Sequence, residues 1–385
     1  MSRKFKAPEF NVPVKCHFDV DTLARNIAMI AEQGRRLPPA FMGAGISEPV
    51  CGPDGEMIGR VLDGKGLYLN HDLKDLGITK KIPFVYERSR TQRLLDKIED
   101  TRGAITTYDG IIQARAGGKA DDVAFSKGAS ITTVANTWFS TFRMSGLPAA
   151  GTYTNIPTGA VADRTNAGAL SLGLSNPTGG DKKYLLTLGF TSSSALQMMT
   201  LVDLLVACGN IVATSNAAQT VSSAALTRYT SGAGVYATFE VTTAIGTTAS
   251  NINLSSYTNQ AGTAAQSSPA QAMTTSAIVQ RLMPATLNSI QLPLASGDYG
   301  IQAVSTVTLS AAMSAGVMAL NLFKPLVWLP GIAANIYMER DTSVQISSLV
   351  ELVVGSSTIG CLTAYCMANT TSSGTIAGFI RTCAG

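Results

Sequence analysis

GVYATFEVTTAIG, Gly234 to Gly246, alternates in a way that an extended chain can use. Successive Cβ atoms on a strand point to opposite faces. Ala237, Phe239 and Val241 therefore share one face, and Tyr236, Thr238, Glu240 and Thr242 share the other. An apolar side backed by a polar side predicts a strand packed on a core by one face. Runs of the same kind recur from about residue 220 to the end: SNINLSSYT (250–258), SAIVQRLMP (276–284), NSIQLPLA (288–295), IQAVSTVTLSA (301–311), GVMALNLFKPL (316–326), SSLVELVVG (347–355), IGCLTAYCMA (359–368) and GTIAGFIRTC (374–383). In the sixth of these nine runs Met318, Leu320 and Leu322 share a face. Gly, Ser, Thr and Asn turns separate the runs at the spacing of a β-sandwich or jelly roll.

Upstream the signals mix. KKYLLTLGF (182–190) reads as a strand. SALQMMTLVDLLVACG (194–209) carries Leu196, Met199, Val202 and Leu205 at helical spacing. Residues 147–181 hold three prolines and six glycines, which predicts a linker or a long surface loop. SITTVANTWFSTFRMSG (130–146) reads as a helix burying Val134, Trp138, Phe139 and Phe142, preceded by a charged glycine-rich loop, QARAGGKADDVAFSKG (113–128). VYERSRTQRLLDKIED (85–100) and DVDTLARNIAMIAEQGRR (19–36) have helical periods, the second capped by Asp19 or Asp21 and ended by Gly34. Residues 1–18 are a basic, proline-broken arm, with Arg3, Lys4 and Lys6 as candidate contact residues.

The expected class is thus α+β and β-rich. It comprises an N-terminal extended arm (1–18), a charged helix and loop region (19–146), a linker or surface loop (147–183) and a C-terminal antiparallel β-sandwich of jelly-roll type (184–385).

Charge is distributed unevenly. The 385 residues carry only 14% charged side chains, against roughly 25% in ordinary soluble domains. Residues 1–130 hold 20 Lys/Arg and 17 Asp/Glu; residues 131–385 hold 9 and 8. A net charge of +4, with bases matched by acids and no aromatic interleaving, does not make a nucleic-acid binder, which leaves the arm as the one place for a nucleic-acid contact. A neighbouring subunit is the better partner for that arm. No apolar run reaches about 18 residues and no signal-peptide core is present, so no membrane partner is expected.

Chemistry-bearing motifs are scarce. The two histidines, His17 and His71, and the cysteines Cys16 and Cys51 lack zinc-ligand spacing. There is no G-x-S-x-G elbow and no Walker loop. Asp298 and Asp341, conceivable as a glycosidase pair, sit in the turn phrases SGDYG and ERDTS. Trp328, in PLVWLPG, reads as a core or interface residue. No metal, cofactor or catalytic residue is therefore assigned. A long chain of this kind reads as a part that packs against copies of itself, because charge is depleted in interface cores.

Three of the six cysteines, Cys361, Cys366 and Cys383, lie in the last 25 residues. Read as a hairpin turning at ANTTSSG, the segment places Cys361 opposite about residue 381 and Cys366 opposite about residue 376, so no two cysteines face each other. Cys361 and Cys366 fall on opposite faces. Cys383 is the one candidate for a disulfide to another subunit.

KKYLLTLGFTSSSALQMMTLVDLLVACGNI, ALTRYTSGAGVYATFEVTT, NLFKPLVWLPGIAANIYMERD, TSSGTIAGFIRTCAG and, upstream, TWFSTFRMSGLPAAGTYTNIPTG resemble structural proteins of tailed-bacteriophage virions. The resemblance covers roughly residues 130–385. It implies a non-enzymatic virion component made in the host bacterial cytoplasm and used in many copies: head shell or shell-associated, or else collar, neck or tail. Its partners would be its own copies and other virion proteins. The tailed-phage capsid fold, with a long spine helix and a mixed α/β body, is the alternative architecture. A receptor- or glycan-binding β-sandwich is the reading from a different class.

Overall fold

The computed structural model describes residues 104–221, 224–283, 290–346 and 349–385, together with three short strands further upstream. Those three, Pro49–Cys51, Met57–Val61 and Leu67–Leu69, form a small antiparallel sheet within the unit 1–97. The arm with Arg3, Lys4 and Lys6, and the helices expected at 19–36 and 85–100, lie outside the described residues. The second compact unit spans Ile98–Gly385.

That unit is built on strands β1 Ala120–Lys127, β2 Trp138–Ser140, β3 Lys183–Ser192, β4 Leu196–Val212, β5 Tyr236–Thr243, β6 Asn251–Asn259, β7 Ile301–Leu309, β8 Val317–Ile332, β9 Tyr337–Asp341, β10 Cys361–Ala368 and β11 Ile376–Ala384. Among the described residues the one helix is α1, Tyr108–Ala116. Thr107 caps it by accepting from the Gly110 amide. The long spine helix of the alternative architecture is therefore not found among the described residues.

A central sheet runs β5–β8–β4–β10–β2, with Leu282–Met283 beside β5 and two short segments, 154–155 and 160–161, also pairing with β4. β4 and β8, 17 and 16 residues long, are antiparallel over their whole length and each serves two cores. One half packs Val206, Cys208, Met318, Leu320, Leu322, Ala237, Phe239 and Val241 against the sheet containing β6 and β7. The other half packs Met199, Leu201, Val327, Leu329, Leu362 and Cys366 against the sheet β9–β3–β11–β1. The body is thus two β-sandwiches sharing one central sheet. The β4–β8 register shifts at three places, with the extra residue on β4 at two of them and on β8 at the third, and Asn210 adopts a left-handed backbone (φ 64) beside one of those on β4.

Several expectations change here. Residues 194–209 are not a helix: they are most of β4. Eleven of the twelve residues Met199–Asn210 are buried, because the strand is covered on both faces, and such a run lacks the alternation that distinguishes a strand from a helix. Residues 130–146 are not a helix either. They contribute β2 and irregular chain that buries Trp138, Phe139 and Phe142 and leaves Val134 exposed. The charged loop at 113–128 is the end of α1, a tight turn and β1. β1 and β2 are integral to the sandwiches, so the sandwich body begins well before residue 184.

The last two strands form no hairpin. β10 pairs with β4 and β2 in the central sheet, whereas β11 pairs with β3 and β1 in the facing sheet. All eight residues of β10 are buried, which calls for a sheet neighbour on each side and cover on each face. The connection 369–375 crosses from one layer to the other. Cys361 and Cys366 do lie in different apolar clusters on opposite sides of the strand.

Residues 141–182 cross the outer face of the central sheet as a strap rather than hanging free. Phe142, Ala162 and Ala169 pack on Leu204, Ala207 and Cys361. The Phe142 ring lies between two glycines: a Cβ on Gly151 would stand 2.4 Å from the ring and one on Gly168 2.5 Å from it.

Candidate functional site

Two groups of polar side chains stand out inside the body, one on each face of the central sheet. The first is an ion pair. Asp203 on β4 lies opposite Lys324 and Leu362 in the sheet register, between the apolar sets of the two sandwiches. Its carboxylate takes two hydrogen bonds from Arg228, at 2.7 and 2.8 Å, and both side chains are 1% exposed. The guanidinium also donates to the carbonyls of Ala162 and Leu204. Burial pushes the Asp203 carboxyl upward against the opposing pull of Arg228. Burial works to lower Arg228 as well, but the Asp203 carboxylate outweighs it and leaves the guanidinium above its usual range. The fork geometry is that of a charged pair, and we take both groups as ionised. Gly360 makes room for it, since a Cβ there would meet the carboxylate at 2.1 Å.

The second group lies under the strap. Glu240 on β5 is fully buried, and its Oε2 accepts a 2.5 Å hydrogen bond from the Tyr153 hydroxyl of the strap. Asn321 on β8 donates to the hydroxyls of Tyr153 and of Tyr365 on β10. Burial pushes the Glu240 carboxyl up to about 7, while Tyr153, Arg143, Ser140 and Asn321 pull it back down. Burial and the Glu240 charge hold both tyrosines well above their ordinary range, so they stay neutral. The polar side of the opening stretch is therefore not a solvent face: Thr238 and Glu240 are buried, Glu240 under Tyr153 of the strap and Thr238 bonded to the Met283 carbonyl. The sequence offered only a lone carboxylate on a strand face otherwise made of Tyr and Thr, with no sign that the face is covered.

Lys127 anchors the start of the strap. Its amine donates to the carbonyls of Met144, Pro148 and Ala149, and burial lowers it to about 8.

On the surface, Gly234, Tyr236, Gln291, Lys324, Pro325 and Trp328 line an open cleft of about 350 Å³. Trp328 is 47% exposed, so it is no core residue, and its ring stands edge-on to buried Trp138 at 6.0 Å. The Lys324 amine bonds to the Ala233 carbonyl and lies over the Tyr229 ring.

The residues singled out by sequence do not converge. Asp298 accepts from Tyr257 and Asn259, and its amide closes a turn onto Ala295. Asp341 ends β9 and accepts from Ser343. Cys383 is fully buried with Ile105, Tyr184 and Leu186, and burial pushes its thiol up to about 11. A disulfide from it to another subunit would require the end of β11 to open. Cys208 is likewise raised to about 11, and Cys361 and Cys366 higher still, so all four are neutral thiols with little nucleophilic character. Among the described residues no three His, Cys, Asp or Glu side chains are grouped to hold a metal, and no helix is long and apolar enough to cross a membrane.

No protein family matches the chain, and no curated protein matches it. Among solved structures, a chain from "Structure of infectious bursal disease virus Gt strain" is similar at 10% identity, covering 69% of this chain and 80% of that chain, with a TM-score of 0.14. So low a score carries no argument about fold or function.

Proposed function

We propose that this chain is a non-enzymatic structural protein of a tailed-bacteriophage virion, one of many copies in or on the head shell. The observation that carries this reading is the set of large apolar side chains left outside a body poor in charge. Met198, Trp328, Ile336, Tyr337 and Val344 are all exposed, from 38% to 65%. They lie on one stretch of β4, the end of β8 and the chain around β9. Past Phe323 the strand β8 has left its β5 partner, so Lys324–Ile332 is paired on the β4 side alone among the described residues. Pro325 and Pro330 each lack an amide donor, which discourages open-ended strand addition along this edge. Side-chain packing between copies suits such a surface better than sheet extension. The likeness of the quoted sequence runs to phage structural proteins supports the same reading, as does the shared central sheet, which joins two sandwiches into one block.

Electron microscopy of the purified full chain and of virions tests it. Rings or shells, with the subunit placed on the head, are expected; a dispersed monomer absent from particles overturns it. Copy number separates a shell from a collar, neck or tail ring, since closed rings need roughly a dozen subunits and shells need hundreds. Contact of the arm through Arg3, Lys4 and Lys6 with packaged DNA would appear as salt-sensitive binding that their replacement weakens.

The exposed Trp328 and the cleft around it favour one second reading, a glycan-binding surface, because an open indole face beside polar groups suits a sugar ring. A glycan array in which the wild type binds and Trp328→Ala does not would support it; a blank array removes it.

A further inference from the structure

The network beneath the strap encloses a fully buried carboxyl, Glu240, with no ion-pair partner. Oε2 has its donor in Tyr153, but Oε1 is buried with no partner. The Asn321 amide spends its donors on the two tyrosine hydroxyls, and its Oδ1 is also buried without a partner. The Ser140 hydroxyl also acts on the carboxyl, so the groups around Glu240 are neutral hydroxyls and an amide. Nor is there a cation to balance a charge. The nearest elements contribute Tyr153 and Arg143 from the strap, Ser140 from β2, Asn321 from β8 and Tyr365 from β10. Arg143 acts on the carboxyl only through space, its hydrogen bond going to the Thr242 carbonyl, and Arg281, beside the segment paired with Glu240, makes no ion pair with it. A carboxylate taken out of water without a paired cation is strongly disfavoured, and a neutral acid is the usual outcome.

We infer that Glu240 is a proton-operated latch: as a neutral acid it sits at no great cost beneath the closed strap, and its ionisation there, an unpaired charge held out of water, favours the strap's opening. The strap packs over Leu204, Ala207 and Cys361 on that face. Its release would uncover an apolar surface on the shared sheet, which gives an assembling subunit two states chosen by pH. The position of the Glu240 proton equilibrium, raised to near neutral by burial, puts the change within the range a cell or a particle meets. The inference concerns this chain alone and stands whether or not the protein belongs to a virion.

The test follows two signals on the full chain from about pH 5 to about pH 9, the range that brackets the transition. One is the carbonyl stretch of a protonated carboxyl in difference infrared spectra. The other is protection of residues 141–162 against hydrogen exchange, corrected for the intrinsic pH dependence of exchange. In the wild type the infrared band and the protection should disappear together near neutral pH. In Glu240→Gln, a neutral amide of the same shape, the band should be missing and the protection should stay high and flat. In Tyr153→Phe, which removes a bond between the closed strap and Glu240, protection should be lost at lower pH than in the wild type. A wild-type strap equally protected across the range overturns the latch. So does a pH dependence that persists unchanged in Glu240→Gln, or a Tyr153→Phe strap that stays protected to as high a pH as the wild type.

Discussion

Breaking the Asp203–Arg228 pair should be among the most damaging single changes available in this body. Arg228→Met removes the guanidinium and leaves a carboxylate that is 1% exposed, with no cation at ion-pair distance. Removing one partner of a buried pair costs about 3–5 kcal/mol, because the other charge is stranded. Here the guanidinium also holds the carbonyls of Ala162 and Leu204, which lose a donor at the same time. The upper part of that range is therefore expected. In a unit of this size each kcal/mol moves the melting temperature by roughly 2–4 °C, so a fall of about 10 °C or more should follow. Asp203→Asn should cost a similar amount by stranding the guanidinium. The double variant Asp203→Leu, Arg228→Met decides the argument. It replaces both charges with apolar groups at a register position flanked by two hydrophobic cores, and such replacements of buried pairs are often neutral. Urea unfolding of wild type, both single variants and the double variant gives the cycle. A double variant as unstable as the sum of the singles would refute the account, as would a loss below about 1 kcal/mol in Arg228→Met.

Other outcomes follow from the same packing. Because Glu240 sits near 7 in the fold against 4.5 when unfolded, its contribution to stability is complete below about 4.5 and is lost as pH rises through about 7. The difference amounts to about 3 kcal/mol, and chemical denaturation of wild type and Glu240→Gln at both ends of that window should show it, with the variant flat. Gly168→Ala should destabilise by about 1–3 kcal/mol, since the added methyl stands against the Phe142 ring and carbonyl; denaturant melts would show it, and a neutral result would mean the strap shifts freely. In a Cys16→Ser, Cys51→Ser background, a thiol reagent should label Cys208, Cys361, Cys366 and Cys383 only after denaturation, and assembled protein should run as a clean monomer band without reductant. Rapid labelling of the native chain, or a dimer band lost on Cys383→Ser, would show that the end of β11 opens.

Much of this architecture could be read from residue order. The alternation of 235–243 and 316–322 named two strands and their core-facing residues, because those strands have one face on an apolar core. The turn-separated runs downstream gave the antiparallel β character. The same local logic misread 194–209. A strand buried on both sides carries no alternation, and leucines repeat by chance at helical spacing. It also misread the last 25 residues, where a short loop between two strands serves equally for a hairpin within one sheet and for a crossing between two. Which one forms depends on the partners β4 and β3, more than 150 residues earlier. Nothing in the sequence near Glu240 says that its face is covered, because the cover arrives from residues 141–162 and only the folded chain brings Tyr153 onto it. Local preference is a property of neighbours in sequence, whereas the buried ion pair, the strap and the shared sheet are made by long-range closure, and those were decided by the tertiary structure alone.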